Sequence, residues 1–164
     1  NRMGFANLRV INDDLVEGGK GFGEHPHQNA EIFSYVLDGA LEHKDSLGNG
    51  SVVSAGGVQY MSAGSGVRHS EFNPSPTDAM RFLQVWSMTT QADANVYVGS
   101  FDGEQELSWD LQAPRKGWVQ VTNGSLLVNS QPLSQGDGLA IEGEGTLVFS
   151  QGQRAEVLFF ELSE

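Results

Sequence analysis

Short hydrophobic runs alternate with turns rich in Gly, Asn and Asp along the whole chain. Ile32–Leu37 and Met80–Met88 are the clearest runs, and Ala155–Leu162 closes the sequence. Turn sequences recur about every ten residues, a spacing that is typical of β-sandwiches and β-barrels. Since no longer window has helical periodicity, we predict an all-β protein in which any helix is short.

Several turn sequences predict where strands begin and end. Asn12-Asp13-Asp14 is predicted to end the first strand. Asp38-Gly39 is a hairpin signal, so Ala40–Asp45 is predicted to return beside Ile32–Leu37 as its antiparallel neighbour. In the second half, Trp118–Val128 is predicted to hold two strands joined by a tight turn.

The two halves of the chain contain similar segments. The matching pairs are Tyr35–Leu41 with Val119–Leu126, and Ser54–Met61 with Ser134–Ile141. Thr89–Asn95 carries no pattern of core residues and is the predicted junction between the halves. We therefore predict two tandem domains, residues 1–90 and 91–164, that arose by duplication of one β unit.

Composition excludes several classes of protein. The 164 residues include no cysteine, which rules out disulfides, thiolate metal sites and a cysteine nucleophile. The net charge of −12 disfavours direct binding to the phosphate backbone of a nucleic acid. The sequence shows neither a signal peptide nor an apolar run of membrane-spanning length, so we expect a soluble, cytoplasmic protein with no membrane partner.

Two pairs of polar residues carry the candidate chemistry. His25 and His27 form one pair, and His69 and Glu71 form the other. Side chains at positions i and i+2 of a strand leave the same face. Two such pairs on facing strands would place three imidazoles and one carboxylate around a point, which is a ligand set for a metal with open positions. All four histidines lie in the first half, so the second domain is predicted to lack the metal ligands.

Other residues near these pairs have ordinary explanations. A single His-x-His pair also occurs in exposed loops that bind no metal. His43 lies in the charged run Glu42–Asp45, which predicts a solvated strand end rather than a ligand. Arg68 is expected either to form a surface ion pair or to contact a substrate. Four apolar residues are candidates for core positions or for the wall of a substrate pocket: Phe33, Met61, Phe82 and Trp86.

The spacing of these residues resembles the two cupin motifs. The first extends from Gly19 through His25-x-His27 and Glu31 to Gly39, and the second from Gly64-x-Gly66 through His69 to Asn73, with Gly64 where proline is usual. Three longer stretches are similar to the pirin family: Gly23–His27, Glu42–Ser46 and Ser62–Glu71. The resemblance covers essentially the whole chain. It departs from the family before Asn1, where pirins carry a further segment that we expect to be missing here, and after Met88, where this chain is shorter than is usual for the family.

The resemblance implies a fold and a cofactor. Pirins consist of two tandem cupin domains, each a double-stranded β-helix or jelly roll, and the second domain has lost its ligands. In pirins the metal is held by the residues that match His25, His27, His69 and Glu71. Some other cupins use the residue that matches Glu31, so Glu31 is expected to be an alternative ligand or to support the ligands by hydrogen bonding. One divalent metal is implied, with Fe(II) as the first choice and Mn, Ni, Cu or Zn as alternatives.

The resemblance also implies an activity. Some pirins act as quercetin 2,3-dioxygenases, which open flavonols with O2 and release carbon monoxide. In this chain, Glu71 would take the proton of the flavonol 3-hydroxyl group as the general base. The main alternative is a regulatory protein whose metal responds to redox state and which binds a transcription factor or a metabolic enzyme. A third interpretation is a cupin isomerase or sugar-binding protein with no catalytic metal.

Overall fold

Strands, turns and loops account for all residues that the computed structural model describes, namely 4–87, 93–143 and 145–163. The all-β prediction is therefore confirmed, and no described segment is a helix that could span a membrane. The chain divides into two compact units, Asn1–Ala92 and Asp93–Glu164. Most of the predicted junction Thr89–Asn95 lies outside the described residues.

The first unit consists of two antiparallel sheets. Its described strands are β1 (Leu8–Val16), β2 (Gly21–His27), β3 (Glu31–Asp38), β4 (Ala40–Asp45), β5 (Gly50–Ser54), β6 (Val58–Ser62), β7 (Val67–Phe72) and β8 (Met80–Ser87). One sheet has the order β1-β8-β3-β6 and the other β2-β7-β4-β5. Because most neighbours in a sheet are distant in sequence, the chain passes repeatedly from one sheet to the other, as in a jelly roll.

The interior of the first unit is apolar at both ends and polar between them. Ser34 separates Ile32 from Val36 on the inner face of β3, and Gln84 occupies the paired position on β8. The buried apolar residues accordingly form two clusters, Ala30, Ile32, Met61, Ala63 and Val67 in one, and Val16, Val36, Leu41, Met80 and Phe82 in the other. The polar layer between them faces the strands that carry the histidines.

Two predicted turns have different roles in the structure. β4 does not return beside β3, because β3 pairs with β6 and β8 whereas β4 pairs with β5 and β7. Gly39, with φ of +75°, instead takes the chain from one sheet to the other. Asn12-Asp13-Asp14 does not end a strand but lies within β1, where Asp13 forms an ion pair of 2.6 Å with Arg81. β1 is an edge strand, so its polar side chains remain near solvent.

The second unit is built from one extended sheet. Its described strands are β9 (Ala94–Gly103), β10 (Leu107–Leu111), β11 (Lys116–Val128), β12 (Gln131–Ser134), β13 (Gly138–Ile141) and β14 (Gly145–Leu162). The predicted turn within Trp118–Val128 is absent from this described segment, since β11 continues through irregular pairing with β14. Gly124 has φ of +64°, and a Cβ atom there would overlap the carbonyl oxygen of Arg154. The glycine therefore bends one strand instead of ending it.

The similar segments of the two halves form the same hydrogen-bonded turn. In the first unit, the amide of Gly56 donates to the carbonyl oxygen of Val36 at 2.8 Å. In the second unit, the amide of Gly136 donates to the carbonyl oxygen of Val121 at 3.0 Å. Both glycines have positive φ, +81° and +89°. This shared backbone geometry supports the predicted duplication.

Candidate metal site

Strands β2 and β7 bring the two predicted pairs together. His25 lies directly opposite His69, and Phe22 lies opposite Glu71. A bulge between Phe22 and His25 inserts one extra residue into β2. The side chains of Phe22 and His25 therefore point to the same side of the sheet, although three positions separate them. Gly21 makes this approach of the strands possible, because a Cβ atom there would overlap the carbonyl oxygen of Glu71.

Three imidazoles lie around one point in the interior of the first unit. The ring centroids are 4.8 Å apart for His25 and His27, 4.4 Å for His25 and His69, and 4.9 Å for His27 and His69. One nitrogen from each ring lies within 4.8 Å of the corresponding nitrogens of the other two. His25 and His27 lie two residues apart on β2, so their rings leave the same face of that strand, and the ring of His69 comes from the adjacent strand β7.

The hydrogen bonds of these rings leave one nitrogen of each available. The Nδ1 atom of His25 lies 2.7 Å from the carbonyl oxygen of Gly23, so it is the donor and Nε2 keeps its lone pair. Among the described residues, the buried Nε2 atoms of His27 and His69 have no hydrogen-bond partner. A buried polar atom without a partner is costly unless a ligand completes it. The donor set therefore fits a divalent transition metal.

Burial also lowers the pKa of two of these imidazoles, His27 and His69. Removal from water, together with the charges of the neighbouring histidines, lowers the pKa of His69 to about 3. Burial lowers the pKa of His27 as well, and the proximity of His25 adds to the effect. A metal binds the neutral imidazole, so both rings are in the form that ligation requires near neutral pH.

Glu71 is a fully buried carboxylate with two neutral hydrogen-bond donors. Ser34 donates to Oε1 at 2.8 Å, and Gln84 donates to Oε2 at 2.5 Å. The indole of Trp86 donates to the amide oxygen of Gln84 at 2.9 Å, which fixes the orientation of that amide. Burial raises the pKa of Glu71, although the bonds from Ser34 and Gln84 act in the opposite direction. The carboxylate retains lone pairs that could bind a metal or accept a proton.

Ser34 and Gln84 were not identified from the sequence as residues of the site. The available signal was a Ser within the apolar run Ile32–Leu37 and a Gln within Met80–Met88. A polar side chain on the buried face of a strand needs a partner, and here both partners are the oxygens of Glu71.

The prediction that His43 is a solvated strand end is wrong. Its side chain is buried, with 3% of its surface exposed, and it lies opposite Glu71. The run Glu42–Asp45 alternates between faces: Glu42 and Lys44 pair with each other at 2.8 Å outside, while His43 faces inward with Leu41. A ligand atom of His43 lies within 4.8 Å of ligand atoms of His69 and Glu71. The sequence signal for this burial was the position of His43 two residues after the apolar Leu41, which places both side chains on the same face of β4.

The structure does not bring Glu31 or Phe33 to the histidines. Both leave β3 on the face opposite to Ser34, and the Glu31 carboxylate accepts hydrogen bonds from Tyr60 and Ser62. This corrects the expectation that Glu31 would be an alternative ligand or would support the ligands by hydrogen bonding. The turn between β2 and β3 breaks the alternation, so counting residues across it does not predict the face.

The other predicted wall residues lie on the inner face, at different distances from the site. The Trp86 ring packs edge to face against His27, with centroids 4.8 Å apart, and belongs to the same apolar cluster as Met61. Phe82 is fully buried in the second cluster, where it contacts Phe22. Arg68 forms an exposed ion pair of 2.7 Å with Glu24, so it has the surface role that was one of its two expected roles.

An open cleft of about 420 Å³ reaches His27 from the edge of the first unit. It lies where β2 and β4 end and β7 begins. Its lining residues are Pro26, His27, Gln28, Ser46, Gly66, Val67 and Arg68. The volume is within the range of small-molecule sites, so the cleft provides one route from solvent to the histidine cluster.

The fold and the cluster together define a protein with two cupin domains and a candidate metal centre in the first. Residues 1–87 match the Pirin family, and residues 84–162 match the quercetinase C-terminal cupin domain. The chain belongs to the pirin family. The resemblance found in the sequence and the predicted fold of two tandem cupins are thereby confirmed.

Named relatives cover nearly the whole chain. A quercetin 2,3-dioxygenase of Escherichia coli strain K12 is 37% identical over 99% of this chain and 85% of the relative. A putative quercetin 2,3-dioxygenase of Pasteurella multocida is 35% identical over 96% of this chain and 83% of its own. Among solved structures, a bacterial pirin from Escherichia coli, YhhW, in complex with nickel(II), has 37% identity and a TM-score of 0.92, covering 98% of this chain and 84% of that chain.

Proposed function

We propose that this chain is a metal-dependent oxidoreductase that opens flavonols such as quercetin with O2 and releases carbon monoxide. The observation that carries the proposal is that the buried Nε2 atoms of His27 and His69, beside His25, have no hydrogen-bond partner among the described residues. Three imidazoles that converge on one point, two of them with a buried nitrogen to which no described residue hydrogen-bonds, fit a bound metal. The names of the relatives indicate the substrate class.

His25, His27, His69 and Glu71 are the proposed metal ligands. A bound divalent metal would act as a Lewis acid, lowering the pKa of a flavonol hydroxyl group and orienting the substrate. Fe(II) remains the first choice, and Mn, Ni, Cu and Zn remain alternatives, because imidazole and carboxylate ligands suit all of them. The nickel complex of the related bacterial pirin supports a divalent ion in general.

Glu71 is the proposed general base. It lies beside His69, so a substrate bound at the cluster would bring its hydroxyl group near this carboxylate. Ser34 and Gln84 hold the carboxylate in one orientation, so its free lone pairs have a fixed direction. Proton transfer from the flavonol 3-hydroxyl group to Glu71 would leave an electron-rich substrate that reacts with O2.

The apolar residues beside His27 are proposed to bind the aromatic substrate and to exclude water. Trp86 packs against the His27 ring, and Met61 extends the same apolar surface. A dry environment strengthens the electrostatic interactions of the site and protects reactive species from side reactions. The cleft that reaches His27 is a candidate entrance.

We also propose that the chemistry is confined to residues 1–90 and that residues 91–164 form a degenerate cupin domain. All histidines of the chain lie in the first part, which supports this division. The second domain would then contribute to stability or to the binding of a protein partner.

Metal analysis combined with turnover tests the function. Protein purified without added metal is expected to contain about one metal ion per chain if the four ligands form a single site. Quercetin consumption and carbon monoxide release should require O2, stop after chelation and return when metal is restored. Bound metal without any O2-dependent loss of flavonol would exclude the dioxygenase and favour the regulatory alternative.

A further inference from the structure

His43 is a buried histidine for which the proposed reaction has no role. Its Nδ1 atom lies 3.4 Å from the Nδ1 atom of His69. On its other side, Nε2 lies 3.8 Å from Oδ2 of Asp45. The three side chains therefore form a line that ends at the ring of a proposed metal ligand.

Asp45 is fixed by the turn that follows β4. Its Oδ1 atom accepts hydrogen bonds from the amides of Leu47 and Asn49, each 2.9 Å long. Its Oδ2 atom accepts one from the side-chain amide of Asn49 at 2.8 Å. These bonds, the Asn49 side chain first, lower the pKa of Asp45, so the group is a carboxylate at neutral pH.

This fixed charge selects one protonation pattern for the two imidazoles. At 3.8 Å the carboxylate is too distant for a hydrogen bond, but it still favours an N–H over a lone pair on the His43 Nε2 atom. A neutral imidazole protonated at Nε2 has its lone pair at Nδ1. The facing Nδ1 atom of His69 must then carry the hydrogen, since two lone pairs would repel each other at 3.4 Å. The lone pair of His69 is left at Nε2, the buried atom for which the described part of the chain offers no partner.

We propose that His43 is a positioning residue for the metal centre: it accepts the Nδ1–H of His69 and so directs the Nε2 lone pair of His69 toward His25 and His27. The inference rests on the proposed metal site. Metal-bound histidines generally donate their second N–H to a fixed acceptor, and loss of that acceptor weakens metal binding. The acceptor here is another histidine, oriented in turn by an anchored aspartate.

Nitrogen NMR of the wild-type protein tests the protonation pattern directly. Long-range proton–nitrogen spectra of labelled protein should show His69 protonated at Nδ1 in the metal-free state. One equivalent of zinc should then shift the Nε2 resonances of His25, His27 and His69 and leave both nitrogens of His43 without a bound metal. A His69 proton on Nε2, or zinc bound to His43, would overturn the proposal.

Two substitutions at the same position separate positioning from packing. His43→Leu replaces the imidazole with an apolar side chain of similar size and removes the acceptor, so zinc affinity in chelator competition should fall about 10- to 100-fold. His43→Asn retains an oxygen near the position of Nδ1, and it should recover most of the affinity. Leu41→Val on the same face of β4 is the control for a change in packing, and it should bind zinc as the wild type does.

The outcomes also separate this inference from the proposed function. If the wild-type protein binds no zinc, the metal site itself is excluded. If the wild type binds zinc and a folded His43→Leu protein binds it equally well, only the role of His43 is excluded. Should His43→Leu fail to fold, the NMR assignment of the wild-type protein, with and without zinc, still decides the question.

Discussion

At the scale of single residues, the interior of the first unit contains polar groups in a place where apolar side chains would be expected. Glu71 has no exposed surface, and each of its oxygens has a neutral donor. A buried carboxylate destabilises the fold unless an opposite charge or a bound metal compensates its loss of hydration. Because Glu71 lies close to His43 and His69, its carboxylate is placed to bind a cation or to accept a proton.

Glu71→Gln should separate proton transfer from metal binding. The amide has nearly the same shape as the carboxylate, so three histidines should still hold the metal, although more weakly. Flavonol turnover should fall by about 10²–10⁴-fold, the usual contribution of a general base. Glu31→Gln is the matched control, since that glutamate lies on the opposite face of β3, and its turnover should stay near the wild-type value. Equal losses in the two variants would contradict the assigned role.

Asp14 provides a prediction about pH and stability. Burial and the neighbouring charge of Asp13 raise the pKa of Asp14 above its ordinary value of 3.8. The charged form is therefore disfavoured in the folded protein, and Asp14→Asn should raise the free energy of unfolding near pH 7. Denaturant titrations should show this gain shrinking as the pH falls through the raised pKa toward 3.8, where Asp14 is increasingly protonated in both states. A gain that persists or grows at lower pH would contradict burial of the charged carboxylate as its cause.

At the scale of strands, one glycine controls how closely β2 approaches β7. Gly21→Ala should destabilise the protein by about 1–3 kcal/mol, because the new methyl group meets the backbone of Glu71 and Phe72. It should also weaken zinc binding, since the spacing of His25 and His69 depends on the same pair of strands. Thermal unfolding and chelator competition measure the two effects.

Gly23→Ala is the matched control on the same strand. A Cβ atom at Gly23 meets no described atom within 4 Å, and its φ is not positive. This variant should keep wild-type stability within about 0.5 kcal/mol, as is usual for substitutions in open space. If both variants lose stability equally, the effect belongs to glycine in general and not to contact with β7.

The sequence predicts strands better than it predicts their partners. Hydrophobic runs and turn residues located the clearest strands, because alternation and turn chemistry are local properties. The sheet to which a strand belongs is decided by distant residues. Asp38-Gly39 has the local signature of a hairpin, yet Gly39 joins strands of different sheets. Gly124 resembles a turn residue, and only its fit against Arg154 makes it a bend within β11.

The candidate site follows the same rule. The pairs His25 with His27 and His69 with Glu71 could be predicted because each lies within one strand, where the period of two applies. The direction of Glu31 could not be predicted from them, since a turn separates it from His27. Ser34 and Gln84 gain a role only from Glu71, which belongs to another strand and the opposite sheet.

At the scale of the whole molecule, the two units contain related interiors with opposite polarity. The shared turns and the strand registers match each position of the candidate site with one in the second unit. The positions of the site, in chain order, are His25, His27, Ser34, His43, His69, Glu71 and Gln84. Their counterparts, in the same order, are Trp109, Leu111, Val119, Val128, Leu147, Phe149 and Phe159. Each counterpart belongs to the apolar core of the second unit or packs against it.

Metal binding should therefore protect the two units differently. Hydrogen exchange measured with and without zinc should slow in β2, β4 and β7, which carry the cluster, and change little in β10, β11 and β14. Zinc at about 100 times its dissociation constant would stabilise the folded first unit by about 2.7 kcal/mol. His69→Ala should abolish the difference. Equal protection of β11 and β14 would contradict a site confined to the first unit.

The second unit has a related backbone whose interior is packed with apolar side chains. Each polar side chain in the first interior stands where the second interior has an apolar one, and a bound metal would restore part of the stability lost by this exchange. In a cell, a first unit without its ion would open more often and become accessible to proteases. We therefore expect the supply of metal to set the lifetime and abundance of this protein as well as its activity.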